Sequence, residues 1–249
     1  MRFTHFSFLT FCLLHTQSSF ARDFIEGGAD ADPRSAIAQT AISLGDLSQS
    51  GDLTRAFCSG VIISDHSIVT AAHCLAGRDP TQTVVLFGFN GNVTSVMRTG
   101  SEIHIPDHYH PYGDALPNAK NNLDIGVLVF TGSLPSGFKP ALLESNELKP
   151  SDAGSSFTIA GFGGPKPGVL DLCDVTLKDN AFSESEFELN SSHACTPAGG
   201  DSGGPDFRIS RNRVVLYGIH NWGWEDEAGN PTMSVEAKIS FYAKWILGF

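Results

Sequence analysis

Basic side chains are scarce in this chain. It carries 16 Lys and Arg against 27 Asp and Glu, a formal net charge of −11, and has no basic run longer than two residues. Such a surface repels phosphate backbones and anionic headgroups, which argues against nucleic acid or a membrane surface as a partner. Long apolar runs are also missing. After residue 21 nothing approaches the roughly eighteen apolar residues that a membrane-crossing helix needs. There is no repeat of fixed period, no low-complexity tract, and no alternation of strands with long helices of the kind a parallel sheet requires. What remains is an ordinary globular composition, 41% hydrophobic and 17% charged, whose 26 Gly and 13 Pro suit many short strands joined by turns. The 249 residues suffice for one large domain or a two-barrel unit with a substantial core.

Residues 1–21 read as a secretory signal peptide: Arg2 at the start, a largely apolar Phe6–Leu14, and Ser19-Phe20-Ala21 as a small-x-small cleavage site. His15, Thr16 and Gln17 interrupt the stretch too early for it to span a bilayer. The expectation is a secreted protein, extracellular or periplasmic, soluble and monomeric once processed. Cys12 would leave with the leader. Cys58, Cys74, Cys173 and Cys195 remain, an even number in an exported chain, which points to two disulfides with three pairings open.

Strand-like runs cover Thr40–Leu44, Ala56–Ile63, Ile68–Ala72, Val84–Phe89, Val93–Arg98, Ser101–Ile105 and Ile125–Phe130, with Asn90-Gly91 as a hairpin turn. Residues 106–122 form a long polar loop, and Ser133–Pro150 a linker. Ser156–Ala160, Leu170–Leu177, His193–Cys195, Val214–Asn221 and Met233–Ala237 make a second set of strands. Apolar residues at 239, 242, 245, 246 and 249 give the tail helical spacing.

Chemistry concentrates at Gly200-Asp201-Ser202-Gly203-Gly204-Pro205. Glycines on both sides of Ser202 let a substrate backbone approach closely. The amides of Gly200 and Ser202 can converge on one small volume and hold a developing oxyanion. Asp201 is costly to bury unless a cation meets it. A serine hydroxyl needs a base, and His73 supplies an imidazole that titrates near neutrality. Asp124 leads a very apolar strand, so it is at least partly buried and in need of a donor. His104, His108 and His110 have spacings that resemble metal-ligand spacing, but they sit in a Pro/Asp/Tyr loop without cysteine, and a solvated loop is the stronger reading. No metal and no cofactor is expected.

Three motifs in this order, Thr70-Ala71-Ala72-His73-Cys74, Asp124-Ile125-Gly126-Val127-Leu128 and Gly200–Pro205, resemble the trypsin/chymotrypsin-like serine endopeptidases over nearly all of residues 25–249. The resemblance implies an all-β fold of two antiparallel six-stranded barrels, about 25–132 and 150–237, with a C-terminal helix over 238–249. It implies His73, Asp124 and Ser202 as the catalytic triad and Gly200 with Ser202 as the oxyanion hole. It implies Cys58–Cys74 as the histidine-loop bridge, which leaves Cys173 with Cys195. Ile25-Glu26-Gly27-Gly28 resembles the family's mature N-terminus, so 22–24 would be a short propeptide and the new amine of Ile25 would pair with Asp201. Asn221-Trp222-Gly223 resembles the segment that pairs with substrate backbone. By the family's count Thr196 lies at the base of the primary pocket, with Gly223 and Ser234 as walls. An uncharged Thr196 favours a medium-sized uncharged side chain at the cleaved bond; Glu236, near the same floor, opposes this. The implied partners are polypeptide substrates and protein inhibitors.

Two other readings compete. Gly200–Gly204 also fits the G-x-S-x-G elbow of α/β-hydrolases, but that class needs the order Ser, acid, His, and only His220 follows Ser202. A catalytically inactive binding protein of the trypsin-like class is the second alternative; it is distinguished by the reactivity of Ser202.

Overall fold

The computed structural model describes residues 25, 28–88, 90, 96–111, 122–163, 168–192 and 195–249. The leader, residues 22–24, Glu26, Gly27, the Gly91 half of the hairpin turn and His193 lie outside these. Among the described residues fourteen strands and two α-helices follow in order: β1 (Ala29–Asp30), β2 (Ala41–Leu47), β3 (Leu53–Ile62), β4 (Ser67–Thr70), α1 (Ala72–Leu75), β5 (Thr83–Phe87), β6 (Val96–His104), β7 (Gly126–Phe130), β8 (Leu142–Leu143), β9 (Ser156–Gly161), β10 (Asp171–Asp179), β11 (Glu186–Asn190), β12 (Pro205–Ser210), β13 (Arg213–Glu225), β14 (Pro231–Lys238) and α2 (Ile239–Ile246).

β2, β3, β4, β7, β6 and β5 close into one antiparallel barrel. β9, β10, β11, β14, β13 and β12 form a second ring that returns to β9. Closure leaves no free edge in either ring, which is how a chain of short strands avoids edge-to-edge association. β1 pairs with β10, so the segment before the first barrel crosses to the second.

Apolar burial explains the first ring. All of β5 and the first five residues of β2 are buried, and Ile42, Leu44, Val85, Leu86 and Phe87 have no exposure. Each such side chain contributes on the order of 1.5–3 kcal/mol by leaving water. The core of the first barrel continues without a break into Phe207, Leu216 and Ile219 of the second and into Ile239, Tyr242 and Ile246 of α2. Those last three sit at the spacing that puts one helix face against a core. A smaller cluster fills the second barrel and includes Ile25, Phe157, Ile159, Phe187 and Leu189.

Several strand assignments differ from the sequence pattern. Val96–His104 is a single strand, with a bulge between Gly100 and Glu102 where two runs were expected. The His motif is a short helix from Ala72, not the end of a strand. The strand expected at His193–Cys195 falls mostly on His193 and Ala194, outside the described residues, with a bridge between Ser192 and Cys195; β11 at Glu186–Asn190, before it, was not expected. β12, directly after the Ser202 motif, was not expected as a strand.

Candidate active site

His73 sits in α1, one residue after the apolar β4 has run into Ala71 and Ala72, both without exposure. The helix is pinned from below: the sulfurs of Cys74 and Cys58 are bonded, which ties it to β3. The imidazole stays about one third exposed, while Asp124 is 5% exposed. Asp124 Oδ1 accepts from the His73 backbone N–H at 2.8 Å, and Oδ2 accepts from Nδ1–H at 2.7 Å. Both oxygens therefore hold one residue, main chain and ring together, and these are charge-assisted bonds of the stronger kind. The Nδ1–H tautomer leaves Nε2 as the free base.

The turn that aims Asp124 is strained. Leu123 has φ of 51°, in the left-handed region, and Ile125 N–H donates to Leu123 O at 2.8 Å. A leucine there costs on the order of 1–2 kcal/mol, offset by the buried strand that follows. Tyr109 stands near this carboxylate; burial and the Asp124 charge push its hydroxyl up to about 12, so it stays neutral.

Ser202 comes from the other barrel, in the turn before β12. Gly200 and Gly203 have φ of 95° and 81°. A Cβ on Gly203 would overlap the Thr70 hydroxyl and the Ser59 carbonyl, so only glycine lets this turn lie against β3 and β4. Ser59 grips the turn at several points. Its N–H donates to Ser202 O at 2.9 Å, its hydroxyl donates to Gly200 O at 2.8 Å, and the same hydroxyl accepts from Phe162 N–H at 2.9 Å. Along the turn the amides of Asp201, Gly203 and Gly204 donate to protein carbonyls. Those of Gly200 and Ser202 donate to no protein acceptor among the described residues. Two unused donors beside a serine are what an oxyanion site requires. Among the described residues Ser202 Oγ makes no hydrogen bond to His73; nucleophile–base contacts are commonly loose before substrate arrives.

Asp201 is buried on the inner side of the turn. Its oxygens accept from Gly163 N–H at 2.9 Å and Ala198 N–H at 3.0 Å. Burial outweighs these donors and pushes its carboxyl up to about 6. No cation within ion-pair distance of it occurs among the described residues. Ile25, 4% exposed, packs in the cluster of Phe157 and Ile159 on β9, and Asp201 lies against Gly161 at the end of the same strand. In the full chain the Ile25 nitrogen is a peptide amide.

β13 carries the remaining residues. Its register slips between His220, opposite Glu236, and Trp222, opposite Val235, so Asn221 is the extra residue of a bulge. The bulge turns Asn221 toward the acid loop: with the amide nitrogen facing two carbonyls, it donates to Asp124 O at 2.9 Å and Ile219 O at 3.1 Å. Trp222 packs edge-on against Trp224 and Phe182. Thr196 is half-buried near the Cys195 end of the Cys173–Cys195 bridge, and Ser234 lies opposite Gly223 across β13 and β14. Glu236 is fully buried and does not present a free charge: His220 Nδ1 lies 3.1 Å from it, and the carboxyl of Asp206 faces it. The sequence reading passed over Asp206. Its signal was an Asp between Pro205 and Phe207 at the buried start of a strand.

Comparison with known proteins bears on the family and the fold. The Trypsin family model matches residues 25–246. The chain belongs to the trypsin family. Among relatives of this family, it is 27% identical to serine protease 57 of Mus musculus, over 90% of this chain and 80% of that protein. It is 26% identical to trypsin zeta of Drosophila erecta, over 92% and 86% respectively. In fold it is similar to the VesB protease of Vibrio cholerae, with a TM-score of 0.67 and 22% identity over 90% of this chain and 67% of that one. As a trypsin-family protein it has the two-barrel architecture, and the family implies polypeptide substrates. Among the described residues no helix is long and apolar enough to cross a membrane. Cys58, His73 and Cys74 lie close enough together for metal ligation, but both sulfurs are spent in the disulfide and cannot act as thiolates.

Proposed function

We propose that the protein is an exported serine endopeptidase. Ser202 Oγ attacks the scissile carbonyl while His73 Nε2 takes its proton. The amides of Gly200 and Ser202 hold the oxyanion. His73 then passes the proton to the leaving amine, and an acyl-enzyme on Ser202 remains. Water, deprotonated by the same nitrogen, releases the acid product. Asp124 fixes the ring and stabilises the imidazolium. The observation that carries this reading is the pair of unused amides beside Ser202, held by Ser59 against the barrel that bears His73.

Export rests on the leader at residues 1–21 and on the two disulfides. Activation would expose the Ile25 amine to Asp201, whose buried carboxylate has two amide donors and lacks a cation among the described residues. N-terminal sequencing of active material is expected to begin at Ile25; a fully active form beginning at Arg22 contradicts that step. The function itself is tested by hydrolysis of an unstructured protein such as casein. The processed chain cleaves it, and Ser202→Ala loses about 10⁵-fold or more in kcat, the scale of triad loss. Equal cleavage by the variant would remove Ser202 from the reaction.

A further inference from the structure

Three acidic or basic side chains are buried behind the site and take no part in the reaction just described: His220 on β13, Glu236 on β14 and Asp206 on β12. His220 is 7% exposed, and the other two have no exposure. They share one face. His220 is the register partner of Glu236, and Asp206 that of Gly218, two residues before His220.

Their protonation follows from who meets whom. Neither oxygen of Asp206 has a donor, so the ionised form would be buried without a partner. Burial, then the charge of Glu236, drive its carboxyl well above the ordinary range, and a proton on Asp206 supplies the missing donor toward Glu236. Burial disfavours a charged His220. The Glu236 carboxylate, 3.1 Å from Nδ1, together with Asp201 on the nucleophile turn and Asp124 on the acid loop, outweighs that, and the imidazole is raised above its ordinary value. Both His220 Nδ1 and the Asp206 carboxyl then face Glu236, so no free carboxylate is left on this face.

His220 is also tied to the nucleophile. Its N–H donates to Gly204 O at 2.9 Å, and its carbonyl accepts from Gly203 N–H at 2.8 Å. Its second ring nitrogen, Nε2, has no protein acceptor among the described residues. Across the same strands Ser234, 1% exposed, has a hydroxyl without a partner and sits opposite Gly223. Thr196, beside Cys195, brings no charge.

We propose that His220 determines the specificity of the primary pocket: its Nε2–H, with the hydroxyl of Ser234, receives the carboxylate of an acidic side chain at the cleaved bond. This rests on the peptidase reading for the pocket's location, and it replaces the expectation of an uncharged preference. A Lys or Arg side chain would meet an N–H donor and no free carboxylate. A Gln side chain offers an acceptor without charge.

The test separates binding from catalysis. Ser202→Ala, made in the processed protein, is titrated with peptides that differ only in a C-terminal Glu, Asp, Gln, Lys or Phe. Glu or Asp is expected to bind about 10- to 100-fold tighter than Gln, the range of a charge-assisted hydrogen bond, and Lys weakest of all. The Glu-over-Gln ratio should fall toward one as pH rises through the raised His220 titration, and also in Ser202→Ala/Glu236→Gln at neutral pH. Ser202→Ala/Ser234→Ala, a milder change, should lower it without abolishing it. Tightest binding of Lys, Phe or Gln, or no selectivity, overturns the inference. Reaction of the wild type with a small unbiased fluorophosphonate reports separately on the peptidase reading: a protein that reacts but prefers Lys sinks only this inference.

Discussion

At Asp124 a short carboxylate serves two donors of one residue, His73 N–H and Nδ1–H. An amide in its place cannot accept from both without turning an NH₂ toward one of them, so Asp124→Asn flips the tautomer or breaks a bond. We expect kcat to fall about 10⁴-fold with little change in KM, the scale of this loss in the trypsin mechanism. Steady-state kinetics on one peptide checks it, and a loss below tenfold contradicts the role. Asp201 makes the second residue-scale prediction. With its carboxyl at about 6, the folded unprocessed chain retains a proton that an unfolded Asp releases near 3.8. That contribution is complete below about pH 4 and is lost as pH rises to 6, by roughly 3 kcal/mol at the usual 1.4 kcal/mol per unit. Pairing with the Ile25 amine removes the penalty. Urea midpoints between pH 4 and 7 should therefore fall more steeply with pH for the unprocessed chain than for the processed one, since the raised Asp206 and His220 contribute the same slope to both.

Among the elements, the Cys58–Cys74 bridge joins positions 16 apart and holds α1 to β3. Replacing both cysteines by Ala should cost about 3 kcal/mol, by loop-closure entropy in the unfolded chain. Chemical denaturation measures this, and a cost near zero would mean that β3, β4 and α1 hold together unaided. The elements also separate what the sequence made legible from what it did not. β5 and β7 are continuous apolar runs and were read directly. β11 was missed because Glu186 and Glu188, both buried, break the apolar pattern of a strand whose Phe187 and Leu189 face the core. β12 was missed because it opens with Pro205-Asp206 out of a glycine-rich turn. The bulge at Gly100 made one strand look like two. The candidate triad was legible because the proposed chemistry fixes its residue types. The His220–Glu236–Asp206 set was not, because three residues on three strands meet only through register.

Across the whole molecule, the site exists only where the barrels meet. The first supplies His73 and Asp124, the second supplies Ser202, and Ser59 joins them by three hydrogen bonds to the second barrel's loops. Ser59→Ala removes the hydroxyl that Gly200 O and Phe162 N–H share, and leaves a buried amide without its acceptor. A loss of about 1–3 kcal/mol in stability is expected. A larger proportional fall in kcat than in substrate affinity is expected too, since the oxyanion amides are what shift. The central claim is that the free amides, Ser202 and the Asp124-held His73 act as one catalytic unit. The most direct measurement is the stoichiometry and position of covalent labelling of the processed protein by a fluorophosphonate, read by mass spectrometry. The account predicts one adduct per chain, on Ser202, and its loss in His73→Ala. No adduct between pH 6 and 9, or one on another residue, would contradict it.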